Sequence, residues 1–375
     1  MEILENGDSK KFLEVSKRML DLTNQFDISF FEAINKGLTD SDSLNRWIFS
    51  LDPSYNNLVI WFAPVMLNNS IKYVWMVGKF DREVLTVRKM IDNAYPKFKY
   101  SSLLSCPVLP PYLGYVSTIA TSTWQETLDT TGSGEDFAIF QVSYNGADDR
   151  KDIDQLMVLN SKYLVSSILD TETALTKVCD ESTLDYIKTS VFPRLNLLTK
   201  LHTELHNIAH FCGDWIFDET KDIHEYEAIE EYRACLGAIF LSKYTSLDKD
   251  TRIAFAVLVV ITRIFKYGLE GINNTEKTRQ VIREITVAIF FLEDLLLSKS
   301  IEITLQGKGE VRFSINLELL LDSIDQSLNK ICKYESENKA IGKSALVRFA
   351  VNEYSRVYPN KQLSEKAYSL YKKIS

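Results

Sequence analysis

Apolar residues recur at two different periods along this 375-residue chain, and the change between them comes close to residue 149. Residues 9–36 carry helical spacing, with Phe12, Val15, Met19, Leu20, Leu22 and Phe26 on roughly one side. Residues 57–65 and 71–78 then concentrate β-branched and aromatic side chains on either side of Asn68-Asn69-Ser70, which predicts a hairpin. A helical pattern returns over 85–94. Residues 101–114 hold Pro107, Pro110 and Pro111, so an extended loop is expected there. Residues 121–126 and 137–144 are further strand candidates. The turn between them, 130–136, has two glycines but lacks the lysine of a phosphate-binding loop.

From residue 149 onward the period is almost wholly helical. The pattern predicts helices over 152–168, 175–189, 192–211, 251–269, 275–297, 317–333, 344–358 and 364–374. One interruption stands out: residues 301–305 and 310–315 alternate around Gly307-Lys308-Gly309, which predicts a second hairpin. The expected fold class is therefore α+β. A mixed α/β region with antiparallel strands occupies 1–148, and a mainly helical region with one hairpin occupies 149–375. The Asn-Gly-Ala-Asp-Asp run at 145–149 marks the edge, either between two domains or as a seam in one integrated unit.

Composition narrows the class. Hydrophobic content of 45% and charged content of 25% are ordinary for a folded protein. A net charge of −8 argues against nucleic acid and anionic membranes as partners. The charged N-terminus has no apolar signal region, so a cytoplasmic location is expected. The longest strongly apolar run, Ile253 to Ile261, stops at Thr262 and Arg263. It falls far short of the roughly 18–20 residues that span a bilayer, and reads as a buried helix. Cys106, Cys179, Cys212, Cys235 and Cys332 are scattered and form no CxxC pair, so they are expected to be buried thiols.

The chemistry gathers between residues 198 and 237. All 4 histidines of the chain lie here: His202, His206, His210 and His224. Residues four apart on a helix share a face, so the first three form a row. Such spacing can place two imidazoles on one metal ion. The third ligand must come from a second helix, expected over 223–236, where His224, Glu227, Glu230 and Glu231 are the candidates. The break at Cys212-Gly213-Asp214 lets that helix fold back, so that His206, His210 and a carboxylate converge. The alternative is a row of polar surface histidines, with Leu201, Leu205, Ile208 and Phe211 facing the core. Tyr232 and Leu236 are expected to pack, and Arg233 to pair with a carboxylate.

These two segments resemble the gluzincin metallopeptidases. His206-Asn-Ile-Ala-His210 is similar to their His-Glu-x-x-His helix. Glu230-Glu-Tyr-Arg-Ala234 resembles the Glu-Glu-Cys-Arg-Ala segment of the dipeptidyl peptidase III family. The resemblance covers about forty residues. It implies a divalent metal, zinc first and iron as the alternative, held by His206, His210 and Glu231. His202, His224, Glu227, Glu230 and Asn207 then stand as alternative ligands or as groups behind the metal. In the family the residue after the first histidine is the glutamate that acts as general base. Here it is Asn207, which cannot take a proton at neutral pH. The expectation is a divergent metallohydrolase for a small-molecule or peptide-like substrate, with Glu230, His224 or Glu227 handling the proton. The alternatives are a non-haem iron enzyme of the oxygenase type and an inactive, metal-stabilised binding protein.

Overall fold

The computed structural model describes residues 58–67, 70–80, 82–101, 103–104, 113–121, 137–144, 153–159, 161–212, 224–276, 278–306, 310–337 and 365–374. The helices expected at 9–36 and 344–358, most of the proline loop and the turn at 130–136 lie outside these residues. The architecture is α+β, and the chain divides into two compact units. One comprises residues 1–85 and 111–164, and the other 86–110 and 165–375.

The first unit holds a mixed sheet. Strands β1 (Leu58–Leu67) and β2 (Ser70–Phe80) pair antiparallel as the expected hairpin. Helix α1 (Arg82–Lys99) follows them in the chain. Strand β3 (Leu113–Thr121) pairs with β2, with a shift in register at Gly78–Lys79. Strands β4 (Phe137–Tyr144) and β5 (Ile153–Leu159) complete the order β1-β2-β3-β5-β4. Only the β3–β5 pairing is parallel among these five.

Of the strand forecast at 121–126 only Thr121, the last residue of β3, is described, and 122–126 lie outside the described residues. One sequence expectation changes here. The helix forecast over 152–168 is a strand over its first half, and helix α2 (Ser161–Val178) begins after it. Ile153, Leu156, Met157 and Leu159 fit a short helical face and a short strand equally well. Pairing decides the matter, because β5 lies between β3 and β4 and satisfies its backbone on both edges.

The second unit is helical. Val87, Ile91, Ala94 and Phe98 of α1 follow helical spacing and are buried. The helix expected over 175–189 breaks at Cys179–Asp180. Asp180 caps helix α3 (Glu181–Tyr186), its Oδ1 accepting from the Thr183 amide at 2.9 Å. Helix α4 (Leu195–His210) and helix α5 (His224–Ser242) follow. Helix α6 (Lys249–Ile261) starts at an Asp248 cap and runs on through a π-helical stretch, Thr262–Tyr267, into α7 (Gly268–Asn273). Next come α8 (Arg279–Leu297), the hairpin β6 (Ile301–Gln306) and β7 (Glu310–Ile315), α9 (Leu317–Glu337) and α10 (Glu365–Ile374).

The apolar run in α6 is a buried helix, as its length requires: Ala254 to Ile261 are all buried. Among the described residues no helix is long and apolar enough to cross a membrane. Phe255, Phe265, Phe290, Phe291 and Phe313 are fully buried, each contributing about 1.5–3 kcal/mol of burial energy. The Phe265 and Phe313 rings meet edge to face at 5.1 Å, which ties the hairpin to the helices. Cys179, Cys212 and Cys235 are buried free thiols and Cys332 is half-buried. Cys106 lies outside the described residues.

Candidate metal centre

Helices α4 and α5 carry the site. On α4, Leu198, Leu201, Leu205 and Ile208 are buried and fix which way the helix faces. The three histidines lie along the flank of that face as a row. Ring centroids are 5.2 Å apart for His202 and His206 and 4.5 Å apart for His206 and His210. These are not surface residues: the His206 and His210 side chains are only 16% and 18% exposed.

Helix α5 is a central helix, buried throughout from Tyr232 to Ser242. It crosses α4 at close range through small residues. A Cβ on Gly237 would lie 2.9 Å from the Ala209 Cβ and 3.1 Å from Leu104 Cδ1, too near for any larger residue. Buried Arg233 secures the crossing. It donates from Nη1 to the Cys212 carbonyl at 3.1 Å and from Nη2 to the Ala209 carbonyl at 3.3 Å. Those carbonyls belong to the end of α4, where helical partners run out. The carboxylate expected for Arg233 is Glu230, at 3.8 Å. Tyr232 packs as expected, edge to face against Phe291 at 4.8 Å, and its hydroxyl donates to Asp294 at 2.6 Å.

This crossing brings His206, His210 and Glu231 together, with one ligating atom from each within 4.8 Å of the others. Glu231 Oε2 is 3.4 Å from His206 Nε2, and Oε1 is 3.8 Å from His210 Nε2. Donors on a tetrahedral ion with bonds of about 2.1 Å stand roughly 3.4 Å apart, so the separations suit a metal at the centre. His206 Nε2 is buried, and its contact with Glu231 at 3.4 Å is long for a hydrogen bond. His210 Nδ1 is held 2.5 Å from Glu230 Oε1, which leaves Nε2 on the side of Glu231. A carboxylate behind the imidazole is the usual way a metal-binding histidine is oriented. Two imidazoles and a carboxylate fit a borderline divalent ion such as zinc, and iron accepts the same set.

Charge around the site is balanced by arginines that the sequence did not reveal. Arg263, carried on the π-helical stretch, reaches Glu231 Oε2 at 3.3 Å and Glu284 Oε2 at 2.7 Å. Its Nε donates to Cys235 Sγ at 3.1 Å. Arg283 meets the other oxygen of Glu284 at 3.0 Å. Burial pushes the Glu231 carboxyl upward, but His206, Arg263 and His210 outweigh it and hold the group well below the ordinary range. Burial also pulls on His210, yet the Glu230 hydrogen bond and the charges of Glu230 and Glu231 leave its imidazole above the usual value. His206 is lowered by burial and by His210, and His202 far more so, by burial, His206 and Arg263. Burial lifts the Cys235 thiol to about 12.

The remaining candidates are distributed along the same two helices. Asn207 is half-buried, one residue beyond His206 on α4. Glu227 is half-buried one turn before Glu231, and His224 opens α5 a turn earlier. His202 stands apart from the carboxylates. It groups with His206 and Cys235, one ligating atom from each again lying within 4.8 Å of the others. Cys235 carried a signal in the sequence, four residues after Glu231 on the same face, whereas Arg263 and Glu284 carried none.

No family model matches this chain, and no curated protein matches it. Among solved structures, DPP III from Caldithrix abyssi matches with a TM-score of 0.53 at 14% identity. The match covers 89% of this chain and 62% of that one, so the chain spans less than two thirds of the length of that protein. At this identity the likeness is one of fold.

Proposed function

We propose that this chain is a divergent, metal-dependent hydrolase with a gluzincin-like centre, in which His206, His210 and Glu231 hold zinc. The observation that carries the reading is the meeting of these three side chains, with Glu230 fixed behind His210. The fold likeness to DPP III supports it. When bound, the ion supplies Lewis acidity, which polarises a substrate carbonyl and acidifies water.

The other tasks fall to this chain's own residues. With His206, Arg263 keeps Glu231 ionised, and it anchors one of its oxygens. Glu230 is committed to His210 and is a poor choice of base. Asn207 offers an amide that can donate to a substrate oxygen, but it accepts no proton at neutral pH. The proton acceptor is therefore Glu227, one turn from Glu231 on α5, with His224 as the next choice. A small-molecule or peptide-like substrate fits a centre that lacks the peptidase glutamate. Asn207 also favours a second reading, a binding protein that keeps its metal for stability alone.

One experiment separates these readings. The zinc-loaded chain is assayed on panels of peptides, esters and small amides, with melting followed with and without chelator. The hydrolase reading expects chelator-sensitive turnover that Glu227→Gln removes while zinc stays bound. A chelator-dependent drop in melting temperature with no turnover on any panel selects the binding protein. Efficient peptide cleavage that survives Glu227→Gln overturns the assignment of the base.

A further inference from the structure

We propose a second metal position, one helical turn along the histidine row, formed by His202, His206 and Cys235 and suited to a soft divalent ion. The two helices repeat the same spacing. His202 and His206 are four apart on α4, as Glu231 and Cys235 are on α5, so moving one turn along exchanges a carboxylate for a thiol. One ligating atom of each residue lies within 4.8 Å of the other two. The His202 ring meets the His206 ring at 5.2 Å and is backed by Phe255 at 6.2 Å. Among the described residues His202 Nε2 is buried with no hydrogen-bond partner, and His206 Nε2 has the long 3.4 Å contact with Glu231. A buried imidazole nitrogen with no partner in the protein is free to accept an ion.

Arg263 links the two positions. Its Nε donates to Cys235 Sγ at 3.1 Å, while its Nη2 lies 3.3 Å from Glu231. The guanidinium N–H on this sulfur opposes the burial that keeps it a neutral thiol, and an arriving ion displaces the thiol proton. As the metal–sulfur bond forms, the thiol proton leaves to solvent, and no electrons are transferred. Thiolate softness then selects cadmium or zinc ions over manganese or magnesium. Because His206 serves both triads, an ion in one position competes with an ion in the other. The inference shares His206 with the centre proposed above, and needs neither Glu231 nor any turnover.

The test adds cadmium chloride to the metal-free full chain and follows the ultraviolet sulfur-to-cadmium charge-transfer band. The expected result is a band that saturates at one equivalent and is delayed by prior zinc. Cys235→Ser should abolish it, which separates this thiol from the other cysteines. His202→Ala leaves two ligands and should abolish stoichiometric cadmium binding. Glu231→Gln should leave the band in place. Where Cys235→Ser does not fold by circular dichroism, His202→Ala carries the same test, since its ring is only half-buried. A missing band, or one that survives both Cys235→Ser and His202→Ala, overturns the proposal. Zinc bound by the Cys235→Ser chain with no cadmium band in wild type sinks this position alone. A cadmium band that needs Cys235 and His202, with no zinc bound by Cys235→Ser, sinks the Glu231 centre instead.

Discussion

The two ends of the histidine row behave in opposite ways, although one residue type at one spacing builds both. At one end His210 is held by Glu230 and faces Glu231, and its imidazole is raised above the usual value. At the other, His202 lies against Phe255 near Cys235, where burial, His206 and Arg263 drive it far down. Oxygen donors surround one end, and sulfur with an aromatic ring surrounds the other. The facing helix, not the histidine spacing, decides what each histidine can do. His206 stands between the two ends and belongs to both.

The comparison is broken most completely at its shared residue. His206→Ala should abolish stoichiometric binding of both zinc and cadmium, because each position keeps only two ligands. Calorimetric titration of the metal-free variant checks this, and retained binding of either ion would show that the positions do not share it. His210→Ala, by contrast, should remove only the oxygen end.

A smaller effect is expected from the carboxylate behind His210. Glu230→Gln should keep zinc stoichiometry and lower its affinity by about 10–100-fold, as loss of an orienting partner usually does. Competition with a chromophoric chelator reads the change. Loss of stoichiometry in Glu230→Gln, with tight binding kept in Glu231→Gln, would exchange the two assignments.

Acidification sharpens the contrast in the metal-free chain. His210 has a folded pKa above its unfolded value near 6.5. Its stabilising contribution is present below that value and is lost as pH rises through the folded pKa. His202 has a folded pKa well below its unfolded value near 6.5. Its contribution is complete above that value and is lost as pH falls towards the folded pKa. His210→Ala should therefore cost most stability on the acid side of neutrality, whereas His202→Ala should flatten the acid loss. Denaturant midpoints measured across that range should show slopes of opposite sign, and parallel curves would contradict the comparison.

The smallest change should touch both ends equally. Gly237→Val forces side-chain atoms against Ala209 and should cost about 1–3 kcal/mol through overpacking. Zinc and cadmium affinities should fall together. A selective loss of one would show that the crossing positions only that end.

What the sequence displayed of this site was local. His206 and His210 are one turn apart, Glu230 and Glu231 adjoin, and the break after Cys212 signalled the return. Periodicity alone made the buried flank of α4 and the apolar α6 readable. Arg263 and Glu284 were not readable as site residues, because they reach the site from other helices; Arg263 stood out only as the end of the apolar run. The π-helical stretch that carries Arg263 leaves an uninterrupted helical pattern in the sequence. The short apolar run of strand β5 fits both the helical and the strand period, and only its neighbours in the sheet separate them. The break at Asp180 was readable in principle, since an aspartate three residues before Thr183 is an N-cap pattern.

The central claim is that His206, His210 and Glu231 hold a divalent ion. Zinc titration of the Cys235→Ser chain, with and without Glu231→Gln, tests it most directly, because the serine removes the competing thiol. The account predicts one tightly bound zinc in Cys235→Ser and none in the double variant. No zinc in Cys235→Ser, or equal affinity in the two, would contradict it.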